Sequence, residues 1–481
     1  MNESSALLTD LYQLTQAQAY FYNQEVELEG SFYLHFRNNP FQGGYTIACG
    51  MAQVVDFIRD FQFSASDIDW LAKLSTTAGH PLFQADFLEW LRQLRLTVDI
   101  DAAPEGSVVF PQEPILRVTG PLLQGQLLET ALLNQVGFQS LIATKAARIC
   151  QVAKGPVAEF GLRRAQGPAG GIYASRAAFI GGCSSTSDVI AGQLFDLPVS
   201  GTHAHSWVMS HPDELTAFRE FAASQPEDCV LLVDTYDVLN GVRQAIEVGQ
   251  EMAQRGQRLS GIRIDSGDLA WLSRKARELL DAAGLDYVKI IASNDLDEYT
   301  IQSLREQDAA IDSWGVGTRL ATAYDSPALN AVYKLSAVRP TGAADWQPTL
   351  KISAQLEKST LPGLLDVRRY LDSQGQLTGD MIYQADRPVP QELIIDPQDD
   401  LRRKQLPAGH YLRLLQPLAR GGQIVWPSVS AREARAQAAA SLKALDVSCQ
   451  RFLNPHSYPV GLEPQLLATR DQLRRRFHGL E

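Results

Sequence analysis

Six clusters of charged, hydroxyl and glycine residues punctuate the stretch from Phe160 to Thr318: FGLRRAQG from Phe160, SGTHAHS from Ser200, DTYD from Asp234, RIDSGD from Arg263, SND from Ser293 and GVGT from Gly315. Phe160 with Arg163 and Arg164 offers an aromatic face beside two fixed positive charges, which suits a flat anionic ring, because guanidinium groups present planar paired donors to a carboxylate or phosphate. The hydroxyl-rich GGCSSTSD from Gly181 to Asp188 runs into a helix, and Gly315, Gly317 and Thr318 do the same after the last cluster; backbone N–H groups at such starts attract anions. Asp234, Asp265 and Asp295 instead suit sugar hydroxyls or a magnesium ion. Anion sites and hydroxyl ligands gathered together describe a pocket for a phosphorylated sugar. An isolated aspartate at such a position has a plainer use as a helix cap, and recurrence at the same place in successive units counts against that use.

His203 and His205 lie two apart and would face one side of an extended strand, as a zinc-chelating pair does. No histidine occurs between Pro212 and Gly409 to complete such a site. His203 therefore reads as a hydrogen-bonded structural histidine and His205 as a nucleophile or acid-base group.

Each cluster closes a short apolar run, and a helix follows in most cases, at intervals of roughly 25 to 40 residues, the layout of a parallel β/α barrel whose strand ends carry the chemistry. Val230 to Asp234 is almost continuously apolar, as a strand covered on both faces must be, and the helix after it sets Val242, Ala245, Ile246, Gly249 and Met252 on one face. In the next unit Asp268 or Ser266 caps a helix whose stripe is Leu269, Leu272, Ala276, Leu279, Leu280 and Ala283. KIIASND opens a third.

Outside this stretch, Leu7 to Asn23 reads as a helix capped by Thr9, with Leu11 and Leu14 on one face and Tyr12 pointing elsewhere. Residues 98 to 119 are extended and broken by prolines, and an Ala/Arg-rich helix is expected near Ser430 to Leu445. The expected architecture is α/β: an irregular parallel β/α barrel over residues 126–338, and a second α+β domain built from residues 1–125 and 339–481. A chain of 481 residues is long enough for two or three domains. Its net charge of -12 argues against nucleic acid or an anionic membrane as main partner, since both call for a basic face. Five scattered cysteines without CxxC spacing indicate neither a disulfide framework nor a zinc site and fit a reducing cytoplasm.

LLTDLYQLTQAQAYF, EFGLRRAQG, STSDVIAG, PVSGTHAHSW, RIDSGDLA and GTRLATAYDSPALNAVYKL together resemble the nicotinate phosphoribosyltransferase family, in order from Leu7 to about Leu335. The resemblance implies a cytoplasmic enzyme of NAD salvage that makes nicotinate mononucleotide and pyrophosphate from nicotinate and phosphoribosyl pyrophosphate, with magnesium, coupled to ATP hydrolysis. It implies that His205 is the histidine ATP phosphorylates, and that Tyr12 stacks on the pyridine ring opposite Phe160 from a neighbouring subunit, so that a homodimer shares its active sites. Arg163 and Arg263 are then placed for the carboxylate or the phosphates, Asp265 for the ribose hydroxyls, Ser293, Asn294 and Asp295 for the sugar side, and Thr202 for binding substrate. Gly315, Gly317 and Thr318 would receive the 5'-phosphate. Ser187 matches the position where the nicotinamide-using sister enzyme has an acidic residue; a hydroxyl donates to a carboxylate whereas an aspartate repels it, which favours nicotinate unless Asp188 turns inward. From another class, a barrel aldolase or sugar-phosphate isomerase competes, with Lys289 or Lys334 as the Schiff-base lysine an aldolase needs.

Overall fold

The computed structural model describes residues 5–23, 28–352, 360–427 and 429–477. Two compact units divide the chain, one of residues 1–141 with 328–481 and one of residues 142–327.

In the first unit the strand Leu28–Phe36, buried along most of its length, lies within a seven-stranded sheet between antiparallel partners Leu116–Pro121 and Ala331–Pro340. Leu28 faces Pro340 and Phe36 faces Ala331, so the chain after residue 328 rejoins the N-terminal segment through a long ladder with one register shift between Ser31 and Phe32. Tyr333 stacks on Phe32 with ring centroids 5.0 Å apart. A second sheet of six strands, centred on Leu365–Leu371 and Leu377–Gln384, belongs wholly to the C-terminal part. The first helix is Leu11–Tyr22, and Asp10 rather than Thr9 stands at its N-cap: the Gln13 side chain accepts from the Asp10 N–H at 3.3 Å, the reciprocal exchange of a capping box. Its inward stripe is Gln13, Leu14 and Ala17, while Leu11 is exposed. Ser430 caps the helix Ala431–Ala444 where an Ala/Arg-rich helix is expected.

The second unit is a parallel sheet covered by helices. Its strands are β1 (Val157–Glu159), β2 (Ser185–Thr186), β3 (Val230–Leu232), β4 (Gly261–Ile264), β5 (Lys289–Ala292) and β6 (Ser313–Val316). They pair in the order β2-β1-β6-β5-β4-β3, so the last strand lies against the first. Between β2 and β3 the ladder is broken: Val199 makes one parallel bridge to Thr186, and the Leu232 N–H donates to the His203 ring at 3.1 Å instead of to a backbone carbonyl. The sheet is therefore open there among the described residues, and continuous backbone pairing does not close the barrel that the spacing predicts.

Five helices in this unit begin at aspartate caps: Asp188 and Asp213 head the helices Val189–Phe195 and Glu214–Ser224, and further along Asp237 accepts from the Asn240 N–H at 2.8 Å, Asp268 from Trp271 at 3.0 Å and Asp297 from Thr300 at 2.8 Å. In DTYD and DSGD the second aspartate is thus spent on the helix, leaving the first at the strand's carboxyl end. Gly241, Val242, Ala245, Val248, Gly249 and Met252 bury the face of helix Val238–Gln254, with Ile246 only half-buried. Among the described residues no helix is long and apolar enough to cross a membrane.

Candidate active site

Arg263, the third residue of β4, is the hub of the carboxyl edge. Parallel strands place their C-terminal side chains and the following turns on one side of the sheet, where ligands of open α/β folds bind. The Arg263 guanidinium spreads its donors over three elements: Nε to Ser293 Oγ at 2.8 Å, Nη1 to Thr202 Oγ1 at 3.0 Å and Nη2 to Asp265 Oδ1 at 3.2 Å. Its Cζ also lies 5.8 Å from the centroid of Phe160, at the end of β1. The Ser293 hydroxyl donates to the same Asp265 oxygen, so that oxygen is saturated, while Asp265 Oδ2 has no protein donor among the described residues.

Beside the hub stands the pair His205–Asp234. His205 opens the helix His205–Met209, and its Nε2 lies 3.2 Å from Asp234 Oδ1. A carboxylate partner places the imidazole proton on Nε2 and leaves the Nδ1 lone pair open. Asp234 Oδ2 accepts from the Asp265 N–H at 3.1 Å and from Ser266 Oγ at 2.7 Å. The Asp234 side chain is 1% exposed against 41% for His205, so a buried, fully bonded carboxylate orients an accessible ring. With one oxygen toward the ring and the other accepting two hydrogen bonds, the Asp234 carboxylate is fixed where it can orient His205. His203 is different: it is buried, its Nε2 accepts from Leu232, and burial pushes its pKa down to about 4, which keeps it neutral.

The aromatic wall is shaped by glycine and glutamate. A Cβ on Gly315 would stand 2.6 Å from Phe160 Cε2, so only glycine lets the ring lie against β6. Glu159, one residue before Phe160, is buried and accepts from the Gly161 N–H, from Ser175 Oγ at 2.9 Å and from Thr186 Oγ1 at 2.7 Å; burial raises its pKa despite these donors. It ties the Phe160 turn to the Thr186–Asp188 loop, a role its residue type did not announce. In that loop Asp188 is completely buried and its Oδ1 accepts from the Ile190 and Ala191 N–H groups at 3.1 and 3.2 Å, capping helix Val189–Phe195. Its carboxylate is committed to the helix, while half-buried Ser187 donates its backbone N–H to the Glu159 carbonyl at 2.9 Å.

Other residues singled out from the sequence stand apart from this network. Arg163 and Arg164 are exposed on the turn Leu162–Arg164 after β1 and have no ion-pair partner among the described residues. Asn294 and Asp295 are exposed next to buried Ser293, and Asn294 takes a φ of 111°, a conformation that costs a side-chain-bearing residue about 1–3 kcal/mol and concentrates at functional turns. Gly317 and Thr318 sit where β6 passes into the short helix Thr318–Ala321. Tyr12 belongs to the first unit; its ring is 49% exposed, its hydroxyl donates to Glu129 Oε2 at 3.0 Å, and burial, then the charge of Glu129, push its pKa up to about 12. Lys289 does not suit a Schiff base at this edge. Lys289 starts β5 at the opposite end and pairs with Asp312 at 3.1 Å, and Lys334 lies in the first unit's sheet. There burial lowers the Lys334 pKa, opposed by Glu129 and reinforced by the positive charges of Lys351 and Arg37.

An open parallel sheet that gathers arginine, hydroxyl and carboxylate groups at its carboxyl edge defines an α/β enzyme of phosphorylated or otherwise anionic ligands. The models of the nicotinate phosphoribosyltransferase N-terminal domain, family and C-terminal domain match residues 7–137, 156–377 and 366–470 respectively. Nicotinate phosphoribosyltransferase of Bacillus subtilis (strain 168) is 46% identical over 391 residues, 81% of this chain and 78% of that protein. The Homo sapiens enzyme of the same name is 35% identical over 523 residues, 96% of this chain and 95% of the relative. The crystal structure of human nicotinic acid phosphoribosyltransferase superposes with a TM-score of 0.84 at 34% identity, covering 97% of this chain and 99% of that one. The chain belongs to the nicotinate phosphoribosyltransferase family and is an enzyme of that type.

Proposed function

We propose that the carboxyl edge of the parallel sheet joins nicotinate to the ribose of phosphoribosyl pyrophosphate, releasing pyrophosphate, and that ATP drives the step through a phosphorylated His205. The observation that carries this reading is Arg263: one guanidinium touches Ser293, Thr202 and Asp265 and lies beside the Phe160 ring, so a flat acid and a sugar phosphate meet around one fixed charge. In the reaction the bond from ribose C1 to pyrophosphate breaks, its electron pair leaves with pyrophosphate, and the pyridine nitrogen lone pair forms the new bond. Positive charge grows on the ribose and negative charge on the leaving group; Arg263 stabilises the latter, while Phe160 holds the ring so that nitrogen and C1 approach in line. Ser293, Asn294 and Asp295 serve the sugar side, Gly315, Gly317 and Thr318 the 5'-phosphate, and exposed Arg163 the carboxylate or phosphates. Tyr12 of a second copy closes the ring site in a homodimer, and the six strands act as a barrel mouth despite the open ladder. Asp188 is buried as a helix cap, so its carboxylate is not available to the ring, and with Ser187 as the residue that would meet the substrate's carboxylate the loop favours nicotinate over nicotinamide.

Among the described residues no group of three or more His, Cys, Asp or Glu side chains could hold a metal ion, so an all-protein cage is not the form magnesium would take. Asp265, with Oδ2 unengaged, fits the one-carboxylate mode in which the ion's remaining ligands are substrate phosphates and water. Bound there, magnesium would neutralise charge on the departing pyrophosphate. Attack on ATP falls to His205 Nδ1, since Asp234 holds the Nε2–H.

The purified enzyme, given phosphoribosyl pyrophosphate with nicotinate, nicotinamide or quinolinate, with and without ATP, is expected to form mononucleotide from nicotinate and to do so faster with ATP. Equal turnover of nicotinamide would overturn the assignment of the ring. Gly315→Ala pushes a methyl into Phe160, and overpacking of 1–3 kcal/mol should raise the KM for nicotinate about tenfold. An unchanged KM in steady-state assays would remove Phe160 from the ring site.

A further inference from the structure

Behind His205 and Asp234 lies a carboxyl group that the reaction outlined above does not use. Glu214 is the first residue of helix Glu214–Ser224, is 5% exposed, and its Oε1 is buried with no hydrogen-bond partner. The helix packs on the segment that carries His205: Trp207 Nε1 donates to the Ala217 carbonyl at 3.1 Å, and the Phe221 ring lies 4.7 Å from that of His203. The nearest charges on the strand side are Asp234 and Asp237, both negative, and no cation pairs with Glu214 among the described residues. Of the other titratable groups around it, His203 is kept neutral by burial, Asp213 is occupied with the helix N-terminus, and His211 pairs with Glu220 at 3.1 Å. Arg219 faces Glu247 and Glu251. A buried carboxyl with two like charges nearby and no donor at Oε1 is pushed toward the neutral acid.

We propose that Glu214 is a positioning residue for phosphotransfer: by keeping its proton it leaves Asp234 as the single negative charge backing His205, and by losing it destabilises the phosphorylated histidine. The inference rests on the reading of His205 as the phosphorylated residue. On phosphorylation the Nδ1–P bond forms, the bond from the γ-phosphorus to the bridging oxygen breaks and ADP leaves with that electron pair, while Nε2–H stays hydrogen-bonded to Asp234. On hydrolysis water oxygen bonds to phosphorus, the N–P bond breaks and Nδ1 regains its lone pair. An ionised Glu214 repels the phosphoryl dianion through Asp234 and hastens that loss. Burial, then Asp234 and Asp237, push the Glu214 pKa up to about 7, so the change falls in the neutral range: the acid is uncharged below that pH and charged above it.

The test follows hydrolysis of the phosphoenzyme, formed with labelled ATP and freed of nucleotide, in the full-length wild type and in Glu214→Gln across the neutral range. The ratio of the two rates cancels the acid lability intrinsic to phosphohistidine. It is expected to rise about fivefold between about pH 6 and about pH 8, because only the wild type gains the extra charge. A ratio that stays flat would overturn the inference. Asp237→Asn keeps a helix-capping side chain but removes one of the two charges that hold the Glu214 proton, so the wild-type limb should move to lower pH; an unmoved limb would also overturn it, even if Glu214→Gln failed to fold. A wild type that forms no acid-labile phosphohistidine at any pH would strike the role of His205 itself.

Discussion

His205→Ala is expected to abolish the stimulation of mononucleotide synthesis by ATP while leaving weak synthesis without ATP. The ring supplies the only open nucleophilic nitrogen of the histidine pair, since His203 is buried with Nε2 accepting from Leu232. Loss of the imidazole should leave the fold intact, because the His205 side chain is 41% exposed and Asp234 Oδ2 keeps its bonds from the Asp265 N–H and the Ser266 hydroxyl. A stability cost of about 1–3 kcal/mol is expected, since the buried Asp234 Oδ1 loses its donor. The assay compares product formation with and without ATP in the variant and the wild type, with thermal unfolding as the control. Full ATP stimulation in a well-folded variant would remove His205 from the coupling step.

Arg263→Lys separates charge from geometry. Lysine preserves the positive charge but not the planar fork, and a single ammonium cannot serve Ser293, Thr202 and Asp265 while lying against Phe160. If the fork positions the substrates and stabilises the departing pyrophosphate, kcat/KM should fall about 100- to 1000-fold, the cost of losing an oriented donor to developing charge. Both KM values and kcat should suffer, because the hub also fixes Asp265 and Ser293. A loss of less than about fivefold would mean that the charge alone suffices and that the hydrogen-bond geometry of the hub is incidental.

Much of this site could be read from residue types in order along the chain. The strand ends announce themselves because a buried parallel strand must be apolar and the polar residues that follow it have nowhere to go but the edge, and Phe160, Arg263, Asp265 and Ser293 lie together at that edge. The doublets DTYD and DSGD were harder, since either aspartate of each could cap the helix, and only the structure shows that Asp237 and Asp268 do so and that Asp234 faces His205. Thr9 lost the first cap to Asp10 because Gln13 sits three residues after Asp10 and returns the bond. Glu159 and Glu214 carry no local signal, because a carboxylate's sequence neighbours say nothing of its burial.

From the order of its residues alone this protein reveals its periodicities, its caps and its family motifs, since these depend on contacts within a few positions or on strings that survive intact. Tertiary structure decided which aspartate faces the histidine, that Ala331–Pro340 pairs with Leu28–Phe36, and that the parallel ladder stays open at His203. Those outcomes are set by atoms some 30 to 300 positions apart competing for the same hydrogen bonds, and no local pattern records who wins that competition.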